Sequence, residues 1–405
     1  MADMKQASRG PRDGLSPASI ALVRLTWAAL MSTASLTHTD VLIPPQSAAD
    51  DHSDWLRSAT AFGRRDDPSS LSYRMWGAGD TNVLPLLEAD NEPLSPKLHP
   101  RSTSRFLSHS AIVRQLHYRD WRLTRGWANV SYLHGNGDAG QLWLDLASDT
   151  QRPGVRSTPY LEGRETKLAW WGLSRRFSVS SPKLGDVALH GRVGLRLLEA
   201  FRHREAAVSG WYENNQFQGK LSLLSTRGAG FRTTGHGYSL DLDLCAVASP
   251  RCTVGLRTEG LLGRLKWGQV RLLEADINSA NVFQDPQGFI HNLPLATGTE
   301  QRFMHADSLT TLWQLGASWE EGNGYWTGIV SSQGTPTTYR LSRVQRIGRD
   351  QYLMGTWWLN RDTLGLTYWN RYLTVSVASS DVSLSDSFVG SVGVAVRLPW
   401  HPTQP

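Results

Sequence analysis

Two cysteines, Cys245 and Cys252, are all the thiols in 405 residues. No Cys/His spacing resembles a zinc site, so no metal is expected. No stretch approaches the ~20 apolar residues that a membrane helix needs. A bilayer-spanning form of this chain would have to be a closed barrel, the other way to pair every backbone group in hydrocarbon. Dense basic blocks are missing too. The formal charge is +6, but Lys and Arg are interleaved with Asp and Glu, which argues against a nucleic-acid partner. The GxxxxGK[ST] loop, the helix-borne HExxH and the GxSxG elbow are absent. His190 and His203 lie in or near extended runs without a motif around them. No catalytic set and no cofactor is expected.

Tryptophan is abundant, with 17 copies against 10 Phe. Its apolar body and single N–H donor suit half-wet places such as membrane belts, although a soluble glycan binder could use them as well. A two-residue period recurs after about Ala111. Leu142, Leu144 and Leu146 alternate with Gln141, Trp143 and Asp145. Val193, Leu195 and Leu197 alternate with Arg192 and Arg196, and Leu240, Leu242 and Leu244 with Asp241 and Asp243. The last run is Val392, Val394, Val396, Leu398 and Trp400, with small or polar residues between. Ser249-Pro250, Glu321 to Gly324, Asn360 to Asp362 and Asn370-Arg371 read as turns.

Such strands fit a soluble sandwich, apolar face inward, or an outer-membrane barrel, apolar face outward. Three features favour the barrel. The polar faces carry full charges. The connections are unequal, several being short while Gly268 to Ala306 reads as a long loop. Strand ends are rich in Trp and Tyr. The expected fold is all-β, a transmembrane antiparallel up-and-down β-barrel of about 14 strands, range about 12–16. Lumen-facing candidates are His190, Arg192, Arg196, Asp241, Asp243, Arg257 and Glu259. Val392, Val394, Val396, Leu398 and Trp400 form the lipid-facing closing strand.

Residues 1–34 resemble an export signal, with Lys5, Arg9, Arg12 and Arg24 before an apolar core. Residues 35–110, polar and Pro-rich, read as irregular: a periplasmic extension, a strand or two, or a plug. The barrel is expected over 111–400 and a tail over 401–405. Pairing Cys245 with Thr253 about Ser249-Pro250 sets Asp241 opposite Arg257 on the polar face, a cross-strand ion pair. In that register a Cys245–Cys252 disulfide needs a bulge, and two unpaired thiols are the other reading.

The stretches GYSLDLDL (Gly237 to Leu244), TVGLRTEGLLGRLKWGQV (Thr253 to Val270), LGASWEEGNGYWTG (Leu315 to Gly328) and SVGVAVRLPW (Ser391 to Trp400) resemble a largely uncharacterised group of bacterial outer-membrane β-barrel proteins. That group is distantly similar to the fatty-acid-transporter-like barrels. The resemblance spans about half the chain and implies an outer-membrane location, contact with outer-membrane lipid, and a closing strand read by the barrel-insertion machinery. The Asn-Pro-Ala stretch frequent in transporter plugs is absent. Three functions stay open. They are a channel or transporter for small amphipathic or anionic solutes, a closed barrel serving as scaffold in an envelope assembly, and an exported Trp-rich sandwich that binds glycans.

Overall fold

The computed structural model describes residues 40–42, 69–81, 103–147, 154–180, 188–214, 216–226, 233–249, 251–279, 282–284, 290–292, 296–333, 337–381 and 389–399. The export segment, Trp400 and the 401–405 tail lie outside these residues. Strands run in chain order as β1 (Asp40–Leu42), β2 (Ser70–Thr81), β3 (Thr103–Tyr118), β4 (Trp121–Asn136), β5 (Tyr160–Ser180), β6 (Ala188–Glu213), β7 (Gln216–Thr226), β8 (Gly235–Ser249) and β9 (Cys252–Asn278). After the small hairpin of β10 (Val282–Gln284) and β11 (Ile290–Asn292) come β12 (Ala296–Thr310), β13 (Leu312–Glu321), β14 (Gly324–Ser332) and β15 (Thr338–Arg346). The last are β16 (Tyr352–Trp358), β17 (Thr363–Trp369), β18 (Leu373–Ser379) and β19 (Val389–Pro399). Helix α1 (Gly137–Ala147) sits between β4 and β5.

Each strand of the wall pairs antiparallel with its neighbour in sequence, and β19 pairs with β2 along Val389 to Pro399, closing the ring. β7 and β8 are two halves of one wall position. β7 pairs with the upper part of β6 and β8 with the lower part. β12 and β13 likewise share one position against β9. Counted so, the barrel has 14 strands, the expected number. A closed ring leaves no free sheet edge along the paired wall.

Alternation sets the two faces. Val193 (49% exposed), Leu315 (55%) and Val394 (44%) lie on the outside. Their sequence neighbours Arg192 and Gln314 are buried, and Gly393 and Ala395 are half-buried. Val392, Val396 and Leu398 of the closing strand are exposed as well. An apolar exterior over a polar interior is the arrangement of a membrane barrel and the reverse of a sandwich. No described helix is long and apolar enough to cross a membrane.

Several expectations change. The barrel starts at Ser70, well before residue 111. β2 and β3 are full wall strands, and Leu71, Tyr73 and Met75 present an outward stripe. Of the readings left open for 35–110, these segments take that of a strand or two, and they belong to the barrel wall. Proline punctuation at Pro68 and Pro85 brackets β2 without entering it. The Leu142–Leu146 run is helical. Asn136 Oδ1 accepts from Ala139 N at 3.0 Å and caps the helix, and Asp138 sits in the first turn. The Gly268 to Ala306 stretch is mostly strand, because β9 and β12 pair along it. Only 279–295 connect them, with β10 and β11 inside.

The β8–β9 register is two residues from the expected one. Cys245 pairs with Gly255, and Asp243, rather than Asp241, lies opposite Arg257. The β8–β9 ladder is irregular, with register shifts between Tyr238 and Leu240, Leu240 and Leu242, and Val247 and Ser249. Both cysteines are free, Cys245 buried and Cys252 half-buried, so the disulfide is absent. Reductant should accordingly leave gel mobility and the unfolding midpoint of the folded protein unchanged. A reductant-dependent shift in a mass-verified monomer would contradict the free thiols.

An apolar layer crosses the inside of one arc. Trp76 pairs with Ala111, Ala111 with Ala128, Ala128 with Leu168, and Leu168 with Ala200. Trp170 and Trp267, 0% and 1% exposed, pack with them. The Trp170 indole lies over Gly126, where a Cβ would stand 2.1 Å from the ring. Only glycine admits that approach.

Candidate functional site

The polar faces of β6, β8 and β9 bring the sequence-chosen charges together. Arg192 lies across from Asp243, and Gly194 from Asp241. Arg196, 2% exposed, is the centre. Its Nε donates to Asp241 Oδ2 at 2.5 Å and its Nη2 to Glu259 Oε2 at 3.0 Å. Asp241 Oδ1 also accepts from the Gly260 backbone N–H at 3.2 Å. Gly260 has φ +76°, a backbone shape that favours glycine, and sits where β9 bulges. One guanidinium thus holds two carboxylates from two strands.

A second set lies beside it. Arg257 Nε donates to Asp243 Oδ1 at 2.9 Å, and Arg192 Nη1 reaches Asp243 Oδ2 at 3.5 Å. His190 Nδ1 lies 2.9 Å from Ser178 Oγ and next to Cys245 across the ladder. All seven sequence-chosen residues therefore occupy one patch of the interior. Two arginines that were not singled out join them. Arg176 pairs with Arg192 across the ladder. Arg122, buried, donates to Ser174 Oγ at 3.3 Å and makes no direct salt bridge among the described residues. Both stand on strands whose alternation with Trp121, Leu123, Leu173 and Arg175 marked them as inward. Five guanidiniums here face the three carboxylates Asp241, Asp243 and Glu259, so the patch is cationic.

Above the apolar layer is a buried polar knot that the sequence did not announce. His203, 0% exposed, stacks on Trp267 with ring centres 4.6 Å apart. Its Nδ1 lies 3.0 Å from Thr166 Oγ1, and its Nε2 3.2 Å from Glu205 Oε1. Trp267 Nε1 donates to Asp307 Oδ2 at 2.5 Å, and His305 Nε2 is 2.9 Å from Asp307 Oδ1. Arg164 pairs with Glu205. Among the described residues no group of three His, Cys, Asp or Glu has metal-holding geometry.

An apolar cleft of about 870 Å³ opens along the wall from β19 through β2 to β5. Trp76, Ala111, Ala128 and Leu168 line it from the inner face, and Met75, Ile112 and Val394 from the outer one. Gly77 and Gly393 lie where the two sets meet. A residue without a side chain leaves the wall thin there.

No protein-family model and no curated protein sequence matches the chain. Among solved structures it is similar to the Pseudomonas putida toluene transporter TodX, at 9% identity over 83% of this chain and 91% of that one, TM-score 0.41. The translocator domain of the autotransporter NalP from Neisseria meningitidis matches at 8% identity over 87% and 96%, TM-score 0.32. The Ralstonia pickettii toluene transporter TbuX matches at 10% identity over 83% and 90%, TM-score 0.25.

Proposed function

We propose that this chain is an outer-membrane barrel that passes small solutes bearing an anionic head and an apolar body. One observation carries the reading: the same barrel holds a cationic interior patch and an apolar cleft of solute size. An excess of guanidinium inside low-dielectric walls concentrates anions. The Trp76, Ala111, Ala128 and Leu168 surface accepts the hydrocarbon part. Contact with outer-membrane lipid, delivery by the insertion machinery and a location in the outer membrane belong to the same proposal. The exposed valines of β19 support it.

The test is flux through purified, heat-modifiable protein in liposomes and planar bilayers. Medium-chain carboxylates should enter faster than matched ammonium ions. Arg122→Ala with Arg192→Ala should reduce the anion preference by about tenfold, the lower end of what focused fields achieve. Equal permeation of both ions, or a sealed barrel, would overturn it.

A closed scaffold barrel is the second reading, and one observation favours it. Trp170, Trp267 and Leu265 are almost wholly buried and pack into a single apolar cluster with Trp76 and Leu309. A sealed but correctly folded barrel in the same flux experiment would support that reading.

A further inference from the structure

We infer that the outer face of β2 to β6 is covered by a second copy of this chain, centred on Arg114 and Arg125. One outward row runs across five strands, with Tyr73 paired to Arg114, Arg114 to Arg125, Arg125 to Trp171 and Trp171 to Leu197. Two arginines therefore stand directly opposite each other on the outside of the wall. Four residues below them in sequence are Tyr118 and Trp121, and four above are Ser110 and Asn129. At a strand rise of about 3.3 Å, that is about 13 Å along the strand to the aromatic edge and the same to the polar edge. The pair sits mid-belt, with Leu116, Leu123 and Leu173 on one side and Met75 and Ile112 on the other.

A cation at mid-depth is the worst occupant of a lipid-facing barrel surface. Intramembrane charges mark contacts with something other than lipid. The wall on the other side of β2 makes the contrast. Leu364, Leu366, Val375, Val377 and Val392 are exposed on β17 to β19 with no charge between them on the outer side.

Three observations point to protein as the cover. Arg114 lies 5.5 Å from the Trp127 ring centre, and Arg125 lies 4.8 Å from that of Trp171. Exposed Trp and Tyr beside Arg is the composition of interface hot spots. Arg125 is held by Glu199 at 3.0 Å, whereas Arg114 has no acidic partner among the described residues. Glu199 is 35% exposed and can accept further donors. A two-fold axis between β4 and β5 sets β3 of each copy against β6 of the other. Arg114 then meets the second copy's Glu199, so the face is self-complementary, as an isologous contact requires.

The test uses the full chain in lipid nanodiscs and in native membranes. Native mass spectrometry should show a dimer. In a Cys245→Ser/Cys252→Ser background, Leu173→Cys near the axis should form an intermolecular disulfide, and Leu366→Cys on β17 should not. Arg114→Glu should weaken the dimer at least tenfold while the monomer keeps its heat-modifiable migration. Arg114→Leu is the second variant. On a lipid-facing surface it would strengthen the fold and leave the mass unchanged, whereas at this interface it lowers the dimer fraction. A monomer with anionic lipid bound at Arg114, or cross-linking equal at both cysteines, would overturn the inference.

Discussion

Replacing Arg196 with Leu should destabilise the barrel by roughly 3–5 kcal/mol, the cost of leaving buried charge without its partner. Asp241 and Glu259 are 17% and 8% exposed at their side chains, and Arg196 binds both. Its removal sets two carboxylates side by side against the same cleared space. The measurement is the urea midpoint of the heat-modifiable form in detergent or vesicles. Arg196→Lys should recover only part of the loss, because a single ammonium cannot reproduce the fork that spans two acids. The variant Arg196→Leu/Asp241→Asn/Glu259→Gln should recover most of it, since the charges go together. A midpoint unchanged in Arg196→Leu would mean that water fills the patch and screens it.

Trp267→Ala comes next, with an expected loss of about 3–5 kcal/mol for a large buried ring. Trp267 is 1% exposed, packs against Leu265 and Val270 in the apolar layer and carries the His203 stack. It also supplies the N–H that Asp307 accepts. Trp267→Phe isolates the second contribution. It keeps most of the packing and drops the donor, which should cost about 1–3 kcal/mol. The expected order of unfolding midpoints is wild type, Phe, Ala. Equal midpoints for the two variants would assign the whole effect to the hydrogen bond.

Alternation carried the architecture because a closed membrane barrel obeys it at nearly every wall position. Leu240, Leu242 and Leu244 opposite Asp241 and Asp243 assign faces without any knowledge of neighbours. Partner choice needs the register, and the register depends on irregularities that leave no compositional trace. Asp243 rather than Asp241 meets Arg257 in a β8–β9 ladder that carries three register shifts. A two-residue slip keeps every side chain on its face, so the pattern cannot detect it. β2 escaped notice because its stripe, Leu71, Tyr73 and Met75, is short and Ser70, Ser72 and Arg74 dilute its hydropathy. The turns were readable for the opposite reason. Glu321 to Gly324 joins β13 to β14, and Gly322 has φ +59°, a shape that residues with a Cβ rarely adopt. The His203 knot was invisible because Asp307 of β12 lies far along the chain from Thr166 and His203, which pair across β5 and β6.

The wall is uneven in height. β6 and β9 have 26 and 27 residues, whereas β16, β17 and β18 have seven each. Crossing a bilayer takes about 9–11 residues per strand. Beside β16 to β18 the acyl layer must therefore compress, or the molecule must lean until that side spans the membrane. Either response dimples the leaflet along one flank and gathers short-chain lipid there, so the protein would imprint a thickness gradient on its surroundings.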